Sequence, residues 1–234
     1  MSIPKTIHYV WMGKNPKPKK ILKCIKTWKR LKGYEIIEWN EENFDIDSHP
    51  FVKEAYKNKK WAFVSDYVRA WAIYNYGGIY LDTDVYVIRT LDDLLDNKAF
   101  VGYESPDYPF TAVFGAEKKH PFIKNILDYY DSLDSYKFNF KDNNTLSVSE
   151  LLIKKYKCKK GNQEQLLKTG IKVYEDGILC NPSNNSKTIH LFFGSWTGRN
   201  DFERKKHEFL RSRLSNKYII KLYCIYKKIK YRNK

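Results

Sequence analysis

A strand, a helix and a second strand follow one another within the first forty residues, and this succession constrains the fold more than any other feature. The run "TIHYVWMG" is a buried-strand pattern that stops at Gly13 and a Pro/Lys loop. "KKILKCIKTWKRL" then places Ile21, Cys24, Ile25 and Trp28 at helical spacing, and "GYEIIEWN" is extended again. Parallel strands cannot be joined by a tight turn and need a crossover, usually a helix. The opening therefore predicts an α/β domain with a largely parallel sheet.

The rest of the chain keeps that alternation. "NEENF" and "HPFVKEAYKNKK" read as short helical pieces, and a longer helix covers roughly Trp61 to Tyr76, with Val64, Val68, Trp71 and Ala72 or Asn75 near one face. Gly77 or Gly78 can supply the left-handed conformation that stops it. Beyond Thr90, "LDDLL" and "HPFIKNILDYYDSL" read as helical, "KAFVGYE" and "TAVFGA" as extended, "NTLSVSELLIKKY" as a helix and "TIHLFF" as a late strand. There is no internal repeat or linker, and 234 residues suffice for one sizeable core. We expect one domain over residues 1–210, followed by a basic amphipathic helix over 211–234.

Charge is unevenly spread. The net charge is +16, yet no acidic residue follows Glu208, and nine Lys/Arg lie between Arg211 and Lys234. Without them the chain has 34 basic against 27 acidic residues, a net +7. A nucleic-acid grip usually spreads its charge over a binding face. This distribution instead describes a moderately basic globule with a basic tail. Cys24, Cys158, Cys180 and Cys224 have neither zinc nor disulfide-framework spacing. The start lacks a long apolar leader core, and no run approaches the roughly 18 apolar residues of a membrane span. These features read as a reduced, cytoplasmic protein.

Chemistry concentrates in "FVSDYVRAWAIYNYGGIYLDTDVYV". Asp82 and Asp84 stand one residue apart at the expected carboxyl end of a strand, where open α/β sheets bind ligands. On a regular strand both would project to one face and converge on a cation, and Mg²⁺ or Mn²⁺ commonly bridges carboxylates to phosphate oxygens. Alone, a DxD is a weak signal that more often marks a solvated turn. Its surroundings add Tyr80 on the same expected face, and Asp66 and Arg69 at i,i+3 on the preceding helix. A surface ion pair would explain those two, except that Arg69 has apolar neighbours and a charge there needs a partner.

These residues resemble the DxD-containing sugar transferases of glycosyltransferase family 32, and are similar to the catalytic domains of the clostridial glucosylating toxins. The resemblance includes "IPKTIHYVWMGKNPKP", "TLDDLL", "GAEKKHPFI" and "TIHLFFGSW", and runs through most of Ile3 to Trp196. It implies a GT-A fold, with a Rossmann-like, mostly parallel central sheet flanked by helices. It implies a metal-dependent retaining transfer from a nucleotide-sugar, UDP-sugar favoured over GDP-mannose, to a glycan or lipid-linked acceptor in bacterial surface polysaccharide synthesis. The catalytic set it implies is Asp66, Arg69, Asp82 and Asp84. Asp84 would bind Mn²⁺ (or Mg²⁺) directly, Asp82 would serve metal and donor, and His190 would complete the metal site. Trp11 would stack on the base, Tyr80 would border the pocket, and Ser195 and Trp196 would face the departing phosphate. Leu191 replaces a second histidine frequent in the family. No strong nucleophile stands out, which fits a transfer in which the leaving diphosphate takes the acceptor's proton. Double displacement would need a carboxylate, and Asp66 is nearest.

The tail "SNKYIIKLYCIYKKIKYRNK" places Tyr218, Ile219, Leu222, Ile225, Tyr226 and Ile229 at helical spacing, with its lysines mostly opposite. Such a helix packs on its domain, lies on an anionic membrane or binds a partner. Two other functional classes compete with the transferase reading. A nucleic-acid-binding protein is disfavoured because "YLDTDV" repels phosphate without a metal. A Mg²⁺-dependent nucleotidyl- or phosphotransferase would also pair aspartates, but no Gly-rich phosphate loop is present.

Overall fold

In a computed structural model, residues 2–133, 136, 138, 144–193, 213, 218–223 and 225 are described. The chain runs β1 (Thr6–Val10), α1 (Lys19–Trp28), β2 (Glu35–Trp39), α2 (Pro50–Lys57), α3 (Trp61–Tyr76), β3 (Gly78–Leu81) and β4 (Val85–Val87). It continues with β5 (Ala99–Gly102), β6 (Val113–Ala116), α4 (Pro121–Asp131), α5 (Asn144–Lys154), β7 (Gln165–Leu166), β8 (Ile171–Tyr174), α6 (Asp176–Leu179) and β9 (Thr188–His190). The central sheet has the order β2-β1-β3-β6-β5-β8-β7. Strands β1, β2, β3, β5 and β8 run one way, and β6 and β7 oppose them. The expected mostly parallel α/β sheet is present, and β4 and β9 form a separate antiparallel pair.

The pleat sorts side chains onto two cores. Ile7, Tyr9, Ile79, Leu81 and Phe100 fall on the side of α1 and the β4–β9 pair. Val10, Tyr80, Ala99, Val101 and Phe114 fall on the side of α2 to α5. This is the period of two that alternation on a strand requires. Helix α1 buries Trp28 completely and uses it to hold the small sheet, since the Trp28 indole donates to the Val85 carbonyl at 2.9 Å. The Val87 amide donates to Thr27 Oγ1 at 3.0 Å.

Two local expectations differ. "NEENF" forms a turn, with the Asn40 and Asn43 side chains bonding nearby backbone in place of a helical ladder. Helix α3 does not have one apolar face. Phe63, Val64, Asp66, Tyr67, Val68, Arg69, Ala70, Ala72 and Ile73 are all buried, because the helix lies between the sheet, α2 and α4. The expected C-terminal helix falls largely outside the described residues. Within them, 218–223 are helical, and Ile220 is buried in the second core.

Gly77 ends α3 at φ +70°, ψ −173°, so the stop has positive φ but is extended rather than left-handed helical. Gly78 has φ +109°, and a Cβ there would lie 2.6 Å from the Thr6 carbonyl oxygen. Both the backbone angle and the space demand glycine. Gly78→Ala is expected to cost about 3 kcal/mol, read from chemical denaturation, and a cost under about 1 kcal/mol would refute this account.

Candidate active site

The carboxyl ends of β1 and β3 lie side by side because the two strands are parallel neighbours. Trp11 follows β1 and Asp82 follows β3, so both emerge at one edge of the sheet. Strand β3 ends at Leu81, and Asp82 to Asp84 form a turn closed by the Val85 amide on the Asp82 carbonyl at 2.9 Å. The two carboxylates therefore converge through a turn, not through the pleat of one strand as the sequence suggested.

Helix α3 supplies the opposing wall. Arg69 Nη2 lies 2.8 Å from Asp66 Oδ1 and 3.3 Å from Asp82 Oδ1. Its guanidinium carbon sits 4.8 Å from the centre of the Tyr80 ring, which is buried on the same side of the sheet. Ser65 holds the arginine from behind, its carbonyl accepting from Nε and its hydroxyl from Nη2, each at 3.1 Å. Burial works against the Arg69 charge, but Asp82, Tyr80 and Asp66 outweigh it and keep its pKa above the ordinary value. Asp66 is pushed up to about 7, chiefly by burial and also by Asp82, against the opposing pull of Arg69 and the Asn144 amide. One guanidinium shared by two acids cannot fully neutralise both. Tyr80 is likewise held in its protonated form by burial and the adjacent Asp82.

Asp84 faces a different set of partners. Its Oδ1 is 3.2 Å from His190 Nε2, its Oδ2 accepts from the Phe193 amide at 2.9 Å, and its carbonyl accepts from the Leu191 amide at 3.0 Å. The antiparallel register of β4 and β9, with Val85 opposite His190, brings these groups together. Burial opposes the Asp84 charge, but His190 and the Phe193 amide hold its carboxyl below the usual range. His190 is raised correspondingly, Asp84 outweighing the effect of burial. Oxygens of Asp82 and Asp84 and a nitrogen of His190 all lie within 4.8 Å of one another. Two carboxylates and an imidazole form a donor set suited to Mn²⁺ or another hard to borderline divalent ion.

The remaining expected residues fare differently. Trp11 is partly buried, donates from Nε1 to the Asn15 carbonyl at 2.7 Å, and has Lys17 Nζ 5.6 Å from its ring centre. Its ring packs on the second core, and its backbone amide donates to the Trp39 carbonyl of β2 at 2.9 Å. Ser195 and Trp196 lie outside the described residues. Two residues had no sequence signal. Asn144 opens α5 with its amide on Asp66, and its side chain donates to the Tyr130 hydroxyl at 2.8 Å while its Oδ1 is buried without a partner among the described residues. His8 is fully buried beneath Gly77.

Residues 18–101, from α1 through β5, match the model of the glycosyltransferase sugar-binding region containing a DXD motif. That segment resembles a glycosyltransferase DXD region. It carries Asp66, Arg69, Tyr80, Asp82 and Asp84, but neither Trp11 nor His190. The chain is 35% identical over 144 residues to inositol phosphoceramide mannosyltransferase 3 of Schizosaccharomyces pombe, covering 59% of this chain and 39% of that protein. It is 31% identical over 109 residues to mannosyl phosphorylinositol ceramide synthase SUR1 of Saccharomyces cerevisiae, covering 45% and 28%. Human alpha-1,4-N-acetylglucosaminyltransferase is 33% identical over 79 residues, covering 32% and 22%. The chain thus spans well under half the length of each relative named here. Among solved structures, a glycosyltransferase involved in glycosylation of the major capsid of PBCV-1 superimposes with a TM-score of 0.50 at 14% identity, covering 87% of this chain and 98% of that one. The fold is the expected GT-A type.

The two aspartate environments give distinct expectations. Asp84→Asn keeps an acceptor for the Phe193 amide and should leave the melting temperature nearly unchanged while weakening Mn²⁺ binding at least tenfold, read by electron paramagnetic resonance. Asp84→Ala strands that amide and His190 and should also cost about 2 kcal/mol, measured by denaturation. Unaltered Mn²⁺ affinity in both variants would remove Asp84 from the metal site.

Proposed function

We propose that this protein is a metal-dependent, retaining glycosyltransferase that moves a sugar from a nucleotide-sugar to a glycan or lipid-linked acceptor. The observation that carries the reading is the meeting of Asp66 and Arg69 with Asp82, beside a second cluster of Asp82, Asp84 and His190. The acid–arginine pair presents hydrogen-bonding groups of both signs, which is what sugar hydroxyls require. The Asp82–Asp84–His190 group would hold a divalent cation, which supplies charge neutralisation for the departing diphosphate. Arg69 adds a fixed positive charge on the donor side, Tyr80 closes the floor beneath it, and Trp11 offers a flat ring at the same sheet edge for the base.

Retention is part of the proposal. Asp66, the nearest carboxylate for a double displacement, is engaged by Arg69 and the Asn144 amide and raised toward neutrality, which makes it a poor nucleophile. The chain's own contribution is then positioning and electrostatics, with the leaving phosphate accepting the proton. UDP-sugar is our first donor and GDP-mannose the second. Two of the relatives carry mannosyl and ceramide in their names, which supports a mannosyl donor and a lipid-linked acceptor. Placement in bacterial surface polysaccharide synthesis rests on the sequence resemblance alone.

We further propose work at the cytoplasmic face of a membrane. Among the described residues no helix is long and apolar enough to cross one. Ile220 is buried against the domain, whereas Tyr218, Leu222 and Ile225 are 64%, 66% and 54% exposed. An apolar strip beside a lysine-rich tail suits an anionic bilayer surface. Leu222→Glu with Ile225→Glu should abolish sedimentation with phosphatidylglycerol vesicles at unchanged fold, and retained binding would refute this placement.

A screen of UDP-hexoses, UDP-N-acetylhexosamines and GDP-mannose for Mn²⁺-dependent release of nucleoside diphosphate tests the main reading. One donor should be hydrolysed, with activity abolished by chelator and lowered at least 100-fold in Arg69→Lys, whose single nitrogen cannot meet Asp66 and Asp82 while a second one holds the Ser65 carbonyl. Turnover that survives excess chelator would overturn the metal assignment.

A further inference from the structure

Between the two walls of the site lies a hinge of two residues, Gly77 and Gly78, that joins α3 to β3. One side chain outside the acidic cluster is built into that hinge. His8 of β1 is fully buried and stands beside Tyr80 in the parallel register. Its Nδ1 accepts from the Trp39 indole at 3.1 Å, so the proton is on Nε2, which donates to the Gly77 carbonyl at 2.8 Å. A Cβ on Gly78 would lie 2.9 Å from that same Nε2, so imidazole and backbone are in direct apposition. The His8 and Trp39 rings lie near-parallel at 19°, joined edge to edge by that hydrogen bond with centroids 6.0 Å apart, and Trp39 meets Trp71 of α3 edge-on at 5.2 Å. Burial pushes the His8 pKa down to about 4, against the Gly77 carbonyl, which keeps the imidazole neutral.

We propose that His8 is a positioning residue that fixes the angle between α3 and β3 and so sets the approach of Asp66 and Arg69 to Asp82. The lever arm gives the scale. Arg69 lies eight residues before Gly77, about 12 Å along the helix axis. A 10° change at the hinge would swing it by about 2 Å, and misplacement by about 1 Å can cost on the order of 100-fold in rate. The 3.3 Å contact between Arg69 and Asp82 would not survive such a swing. Asp82, Asp84 and His190 all lie on the β3 side of the hinge and would keep their mutual spacing. Packing on α2, α4 and the sheet holds the body of α3, and its last turn is tied by the Gly77 amide on the Ile73 carbonyl and the Lys119 amide on the Tyr74 carbonyl, each at 2.8 Å. Both glycines sit at positive φ, and His8 supplies the side-chain bond to the hinge carbonyl itself.

The proposal rests on the donor site described above, and its test separates the two. In the full chain, His8→Ala should lower kcat for the hydrolysed nucleotide-sugar at least 30-fold while Mn²⁺ affinity stays within twofold. His8→Gln should restore kcat to within about fivefold of wild type, because its amide can donate to Gly77 and accept from Trp39. Trp39→Phe, which removes the indole N–H donor together with part of a buried ring, should lower kcat severalfold with unchanged Mn²⁺ affinity, and it serves if His8→Ala does not fold. Unchanged turnover in folded His8→Ala, Mn²⁺ affinity falling in step with kcat, or glutamine performing no better than alanine would each overturn the proposal. If wild type turns over no donor, the donor reading fails by itself. Positioning is then read from the Arg69 Nε resonance, which should shift in His8→Ala and stay in place in His8→Gln; no difference between them would refute it.

Discussion

Arg69 is the interaction on which the site depends. A guanidinium this deeply buried is costly unless its partners are close and well aimed. Here it has two, Asp66 one helical turn behind it and Asp82 on the adjoining turn, with Ser65 completing its hydrogen bonds. The first contact is local to α3 and would exist in any isolated helix of this sequence. The second crosses from helix to sheet and is a statement about tertiary structure. Because Asp82 also belongs to the Asp82–Asp84–His190 group, the arginine couples the α3 wall to that group through one shared carboxylate.

The two aspartates of the motif are consequently unlike. Asp84 is locked by two amides and a histidine that all come from the β9 segment. Asp82 faces α3, is the more accessible of the pair at 25% side-chain exposure against 15%, and has Arg69 as its charged partner. A rigid acid suits a metal ligand, which must hold its geometry while substrates exchange. A more accessible one suits a group that also meets the donor.

Much of this was legible in the chain, for reasons that particular residues explain. The β-α-β opening followed from alternation of apolar periods, and the pairing of Asp66 with Arg69 followed from helical spacing alone. Gly77 and Gly78 marked the boundary between helix and strand. The direction of β6 was hidden, because a short apolar strand looks the same whichever way it runs. The turn at Asp82 to Asp84 was hidden too, since Ile79, Tyr80 and the later Val85 to Val87 read as one strand interrupted by charge. His8 and Asn144 gave no signal because their partners, Trp39, Gly77, Asp66 and Tyr130, are distant in sequence or set by the packing of α4 and α5.

Sequence distance also explains why the motif segment does not by itself make a site. Asp66, Arg69 and Asp82 lie within seventeen residues and can associate once α3 and β3 meet. Asp84 must wait for Phe193, 109 residues later. That contact closes only when β9 has paired with β4, which in turn depends on α1 holding Val85 and Val87 through Trp28 and Thr27. Nonlocal pairings of this kind carry a loop-closure cost that only the assembled domain repays. The match over residues 18–101 therefore marks where the acids are, while the meeting of Asp82, Asp84 and His190 belongs to the whole fold.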